Sequence, residues 1–126
     1  MTPETMKKAV IAALEDIKAS DIVVFNVKKL TSMTDFMVIA SGESSRQVKA
    51  LARNVVEKLK ARGAEVIGVE GEETGDWVLV DLGSIIVHVM HPAVRAYYNL
   101  EELWEAPAPA PRKKAAAAKT AKAKDA

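Results

Sequence analysis

The 126-residue chain contains no cysteine. Thiol nucleophiles, disulfides and zinc sites built on cysteine are excluded, while the redox character of its compartment is left open. Aromatic residues are few, two each of Trp, Tyr and Phe, so any clustering of them is informative. No apolar run approaches the roughly 18 residues that a membrane-spanning helix needs. The first twenty residues are amphipathic and charge-bearing, and the expectation is a soluble, cytoplasmic chain without a targeting segment. Also missing are GxxxxGK[S/T], a GxGxxG behind a suitable strand, GxSxG and HExxH. Without them, no catalytic residue, cofactor or metal is assigned.

Charge is unevenly spread. Residues 1–106 carry 12 Lys and Arg against 16 Asp and Glu, and residues 107–126 carry 6 against 1, so a net charge of +1 conceals a body at −4 and a tail at +5. A body of this size buries roughly 60–68% of its unfolded surface, enough for one hydrophobic core without a staple. The tail has no Val, Ile or aromatic residue and cannot offset its ordering entropy by burial. Residues 1–106 are expected to form one domain, and 107–126 a disordered basic Ala/Pro/Lys tail.

Periodicity supplies the elements. After Thr2 and Pro3, a cap and first-turn pair, Met6, Val10, Ala13, Leu14 and Ile17 recur at helical spacing. "DIVVFNV" at 21–27 and "DFMVIASG" at 35–42 read as strands. A serine cap at Ser44 or Ser45, the stripe Val48, Leu51, Ala52, Val55, Leu59 and a terminating Gly63 define a second helix. "EVIGVEG" is a third strand, "EETG" a turn, and "DWVLVDLGSIIVHVM" two more strands. "AVRAYYNLEELW" is a third helix. The order αββαβββα, with a helical crossover between strands two and three, predicts an α/β fold: a mixed five-stranded sheet with packed helices.

Both histidines and one of two tryptophans fall within residues 75–92. A two-residue turn at Leu82-Gly83 would set Asp81 opposite Ser84, Leu79 opposite Ile86 and Trp77 opposite His88. One face then carries Val78, Val80, Ile85, Val87 and Val89, suited to lie under helices. The other mixes Trp77, Leu79, Asp81, Ser84, Ile86, His88 and Met90. Two readings of the mixed face stand side by side: a second core layer under the third helix, with His88 a satisfied core histidine, or an exposed partner-binding surface.

Enzyme chemistry finds little here. Nucleotidyl transfer uses paired carboxylates, usually two apart on a strand, to hold magnesium. Asp76 and Asp81 are five apart and point to opposite faces. A site of Asp81, His88 and His91 meets the same parity problem. "SGESSR", between a strand and a helix, could receive an anion or simply cap the helix. The tail's six basic residues suit nonspecific contact with nucleic acid.

"DFMVIASGESSRQVKALA", Glu70-Gly71 and "GDWVLVDLGSIIVHVMHPAVRAYYNLEELW" together resemble the ribosomal silencing factor family, also called the Iojap family. The resemblance covers nearly the whole body and none of the basic tail. It implies a nucleotidyltransferase-like fold without catalytic carboxylates. It further implies a non-enzymatic protein that binds the large ribosomal subunit through ribosomal protein L-fourteen and obstructs joining of the small subunit under nutrient limitation. The alternative is a nucleotide-binding or nucleotidyltransferase enzyme of related fold. Matching positions include Asp35, Gly42, Ser44, Arg46, Gln47, Gly71, Trp77, Asp81, Gly83, His88, Arg95, Tyr98, Leu100, Glu101 and Trp104. An apolar centre with a few orienting polar groups is the usual anatomy of an interface, which selects Trp77, Leu79, Asp81, Ile86, His88 and Tyr98 as partner-binding residues. Monomer and homodimer both stay open.

Overall fold

The computed structural model describes residues 1–98, Tyr98 by its backbone. The basic tail, and the part of the expected third helix beyond Tyr98, lie outside the described residues. Helix α1 spans Pro3–Asp16 and starts where sequence places it: the Thr2 side chain accepts the Thr5 N–H and proline fills the first helical position. Strands β1 (Ser20–Asn26) and β2 (Phe36–Ser41) follow, then helix α2 (Ser45–Ala61). Strands β3 (Gly68–Glu70), β4 (Trp77–Asp81) and β5 (Ile85–Met90) lead into α3 (Pro92–Tyr98). The elements and their order match the αββαβββα expectation.

The five strands form one sheet in the order β1-β2-β5-β4-β3. β2 and β5 run parallel, from Phe36 beside Ile85 to Ser41 beside Met90, and the other pairs are antiparallel. Helices α1 and α2 share one hydrophobic core with Val38, Val78, Val80, Ile85, Val87 and Val89, the aliphatic face that alternation predicts. The two helices are also joined by polar bonds. Asn54 of α2 donates to the Ala13 carbonyl (2.7 Å), and the Gln47 side chain donates to the Ile17 and Lys18 carbonyls at the frayed end of α1 (3.0 and 3.1 Å). Gln47 therefore satisfies carbonyls that α1 cannot pair internally.

The β4–β5 hairpin departs from expectation. Asp81 pairs with Ile86, Leu79 with His88 and Trp77 with Met90, a shift of two residues from the predicted register. The Leu82 N–H donates to the Ile85 carbonyl (2.9 Å), so the loop is Gly83-Ser84 rather than Leu82-Gly83. Burial decides between these adjacent choices. Leu82 is only 4% exposed and belongs to the helix-side core, whereas a turn at Leu82-Gly83 would lift it into water. Gly83 then takes the first loop position at φ +84°, which an L side chain adopts only with strain. Because the shift is even, no side chain changes face.

The loop entering β4 is equally constrained. Gly71 has φ +89°, and a Cβ there would run into the Trp77 carbonyl oxygen. Gly71→Ala should lower unfolding free energy by about 2 kcal/mol or more, combining left-handed strain with overpacking. Denaturant titration should show a reduced midpoint at unchanged slope. A midpoint equal to wild type would mean that the turn readily rearranges.

Candidate functional site

The sheet face turned away from α1 and α2 gathers most of the candidate residues. Register places Met37, Ile39 and Ser41 of β2, Ile86, His88 and Met90 of β5, and Asp81, Leu79 and Trp77 of β4 in adjacent rows on it. The face is not uniform. Val27, Met37, Ile39 and Met90 form a second small core, with Phe25, Trp77 and Val94 of α3 partly buried against it. Leu79, Asp81 and Ile86, towards the hairpin loop, are each half-buried. Of the two sequence readings, a second core layer describes the end near α3, and a partly open surface describes the end near the loop.

His88 sits at the boundary, 6% exposed. Its Nδ1 accepts a hydrogen bond from Trp77 Nε1 (2.9 Å), with the ring centroids 5.8 Å apart and the rings tilted by 49°. Acceptance at Nδ1 assigns the proton of the neutral ring to Nε2. Burial lowers the His88 pKa from its ordinary 6.5 to about 4. Trp77 and His88 are thus one unit, in which the imidazole holds the indole edge-first while the indole leans on the small core.

The polar candidates largely serve local structure. Asp81 Oδ1 accepts the Gly83 N–H (2.9 Å) and fixes the hairpin loop. His91 lies beyond β5, where its Nδ1 accepts the Ala93 N–H (3.3 Å) at the start of α3. Asp81, His88 and His91 therefore do not converge, and among the described residues no group of three His, Asp or Glu is placed to hold a metal ion. In "SGESSR", Ser44 caps α2 by accepting the Gln47 N–H (3.1 Å). The Gln47 side-chain oxygen Oε1 accepts the Glu43 N–H (2.7 Å), close to the reciprocal pattern of a capping box.

Sequence reasoning passed over Arg95 as a structural residue. It is 9% exposed, and its Nη1 donates to the Asp21 carbonyl (2.7 Å) and to Ser41 Oγ (2.9 Å). The guanidinium thereby ties α3 to β1 and β2, and it meets Asp21 where the backbone turns to φ +48°. An arginine in a seven-residue helix segment carried no spacing signal for this role. Tyr98, the remaining candidate, has its side chain outside the description.

His88 makes a pH signature. Between pH 4 and 6.5 the unfolded chain binds a proton that the folded protein excludes. Stability is therefore full above about pH 6.5 and declines as pH falls towards 4, by roughly 3 kcal/mol. His88→Asn retains an acceptor for the indole N–H and removes the titration. Unfolding free energies at about pH 7 and pH 4.5 should differ less in this variant than in wild type, by most of that amount. An equal difference in both proteins would assign the pH dependence to carboxylates instead.

The family model described as "Ribosomal silencing factor during starvation" matches residues 1–126. A ribosomal silencing factor of Chromobacterium violaceum is 53% identical over 104 residues, covering 82% of this chain and 85% of that protein. The Bacillus subtilis counterpart is 39% identical over 104 residues, covering 82% and 88%. A mouse protein named for mitochondrial assembly of the ribosomal large subunit is 37% identical over 97 residues, which are 75% of this chain and 42% of that protein. A crystal structure of a Chromobacterium violaceum protein superposes with a TM-score of 0.83 at 50% identity, covering 93% of this chain and 98% of that one.

Proposed function

The chain belongs to the ribosomal silencing factor family, and we propose that it represses translation by binding the large ribosomal subunit through ribosomal protein L-fourteen, so that the small subunit cannot join. The action is steric and needs no chemical step. Starvation, in the family's description, supplies the physiological setting. The observation that carries the reading is the half-buried patch of Leu79 and Ile86 on the sheet face that α1 and α2 leave open, flanked by Trp77 and Asp81. A central apolar patch rimmed by polar groups suits a protein partner. His88 contributes by orienting Trp77 rather than by presenting its own surface. The basic tail, residues 107–126, adds a sequence-independent contact with RNA.

Purified protein should co-sediment with isolated large subunits and slow their joining to small subunits, with joined ribosomes the poorer target. Unimpaired joining at saturating, bound protein would reject the steric mechanism. Leu79→Ala combined with Ile86→Ala should weaken subunit binding by roughly 2 kcal/mol or more. Because both side chains are half-buried, the loss of folding stability should stay below the 2–5 kcal/mol typical of each fully buried truncation. Wild-type affinity in this double variant would remove the sheet face from the interface.

A further inference from the structure

The exposed side of α2 has a charge pattern that the fold does not use. Residues 45–62, the helix and its C-cap, contain six Lys and Arg and a single acid, Glu57, in a domain whose residues 1–106 are net negative. At 3.6 residues per turn, Arg46, Lys49, Arg53 and Lys60 fall within about 60° of one another. Their stripe lies well away from the buried line of Val48, Leu51, Ala52, Val55 and Leu59. It runs about 21 Å along the helix axis. Arg46, Arg53 and Lys60 are exposed and Lys49 is half-buried.

Folding offers no reason for this arrangement. Among the described residues, ion pairs join Lys28 to Glu4 and Lys58 to Asp16, and none engages a member of the stripe. The first turn of α2 contains no acid. Arg46 stands in that turn and Lys49 just beyond it, near the positive end of the helix macrodipole, where a cation is unfavourable and a carboxylate would stabilise. Four cations on one line, two of them close to the helix N-terminus, suit an anionic partner. Glu72, Glu73 and Asp76 belong to the loop whose Gly75 packs against Ser45 and Lys49. That loop borders the stripe near its N-terminal end.

We propose that Arg46, Lys49, Arg53 and Lys60 form a track for an RNA phosphate backbone, a second contact surface on the side of the sheet opposite the Leu79–Ile86 patch. This rests on the reading that the protein binds the large subunit, where RNA phosphate is the abundant anion. The track reads no sequence. It contributes affinity and orientation while the apolar face selects the partner.

The test compares the full-length wild type, the triple variant Arg46→Gln, Lys49→Gln, Arg53→Gln, and a charge-matched control, Lys8→Gln, Lys18→Gln, Lys29→Gln. Affinity is measured as a function of salt for two probes, isolated large subunits and a short RNA hairpin of arbitrary sequence. The stripe variant should bind both probes about tenfold or more weakly at low salt. The slope of log affinity against log salt should flatten by about 2 to 3 relative to wild type, as expected for three lost phosphate contacts. The control should stay close to wild type, and the stripe variant should melt at the same or a higher temperature, since its substitutions relieve the dipole conflict.

Unchanged slopes on the hairpin would overturn the proposal. Weaker subunit binding with an unchanged hairpin slope would also overturn it and assign α2 to an acidic protein surface. Equal losses in stripe and control variants would reduce it to net charge and overturn it as well. If the wild type binds the hairpin through the stripe but fails to bind large subunits, the function proposed above falls and the track stands.

Discussion

The parallel pairing of β2 with β5 is the constraint on which the other placements depend. Two parallel neighbours cannot be closed by a tight turn, so the chain between Ser41 and Ile85 must leave the sheet and return. It does so with α2, which lands β3 at the far edge, and the β3–β4–β5 meander then walks back to the centre. One consequence is one-sided covering: α1 and α2 take the same face, and among the described residues the opposite face receives only the short α3. Another is that β5 lies mid-sheet and must present usable side chains in both directions. Its alternation of Ile85, Val87 and Val89 with Ile86, His88 and Met90 meets that demand.

Those alternations are legible in the sequence, because a side chain's parity on a strand depends on sequence alone. The assignment of Val78, Val80, Val87 and Val89 to the helix side, the cap at Thr2 and the limits of α2 all rest on local chemistry of this kind. What local chemistry does not contain is the choice between equivalent turns. Leu82-Gly83 and Gly83-Ser84 both place the glycine acceptably, and the tie is broken by a tertiary fact, the burial of Leu82 under the helices. Gln47 and Arg95 were illegible for a related reason. Each bonds backbone carbonyls distant in sequence, Ile17 and Lys18 for one and Asp21 for the other, and a carbonyl has no identity that a sequence can display.

The candidate site was legible as a set and not as a division of roles. Composition marked the mixed face, yet it could not show that the Trp77 indole N–H points at His88 Nδ1 or that Asp81 is occupied with Gly83. Both findings move polar members of the set from recognition towards support. A neutral, buried imidazole is a poor contact for a partner but a firm prop for an amphipathic ring, and Trp77, half-buried between the small core and the open patch, belongs to both. Truncating it would mix loss of fold with loss of surface. Leu79 and Ile86 lie outside the small core, so they report on the surface more cleanly.

The two sides of the sheet also differ in the physics through which they could hold a partner. Burial of Leu79 and Ile86 would be governed by apolar area, which is little affected by moderate salt, while a cationic line on α2 would act through counterion release and weaken steeply as salt rises. A protein using both can be partly detached by ionic strength without losing its orientation on the apolar contact. The charge distribution is consistent with such separation. Residues 65–81, from the α2–β3 connection to the end of β4, carry six acids and no Lys or Arg, whereas α2 with its cap carries six basic residues and one acid. Glu70, in register with Leu79, and Asp81, in register with Ile86, would repel phosphate from the apolar patch, and cations on the far side would attract phosphate there. Such a segregation would discriminate between partners by repulsion as well as by attraction, which a uniform charge of the same net value could not do.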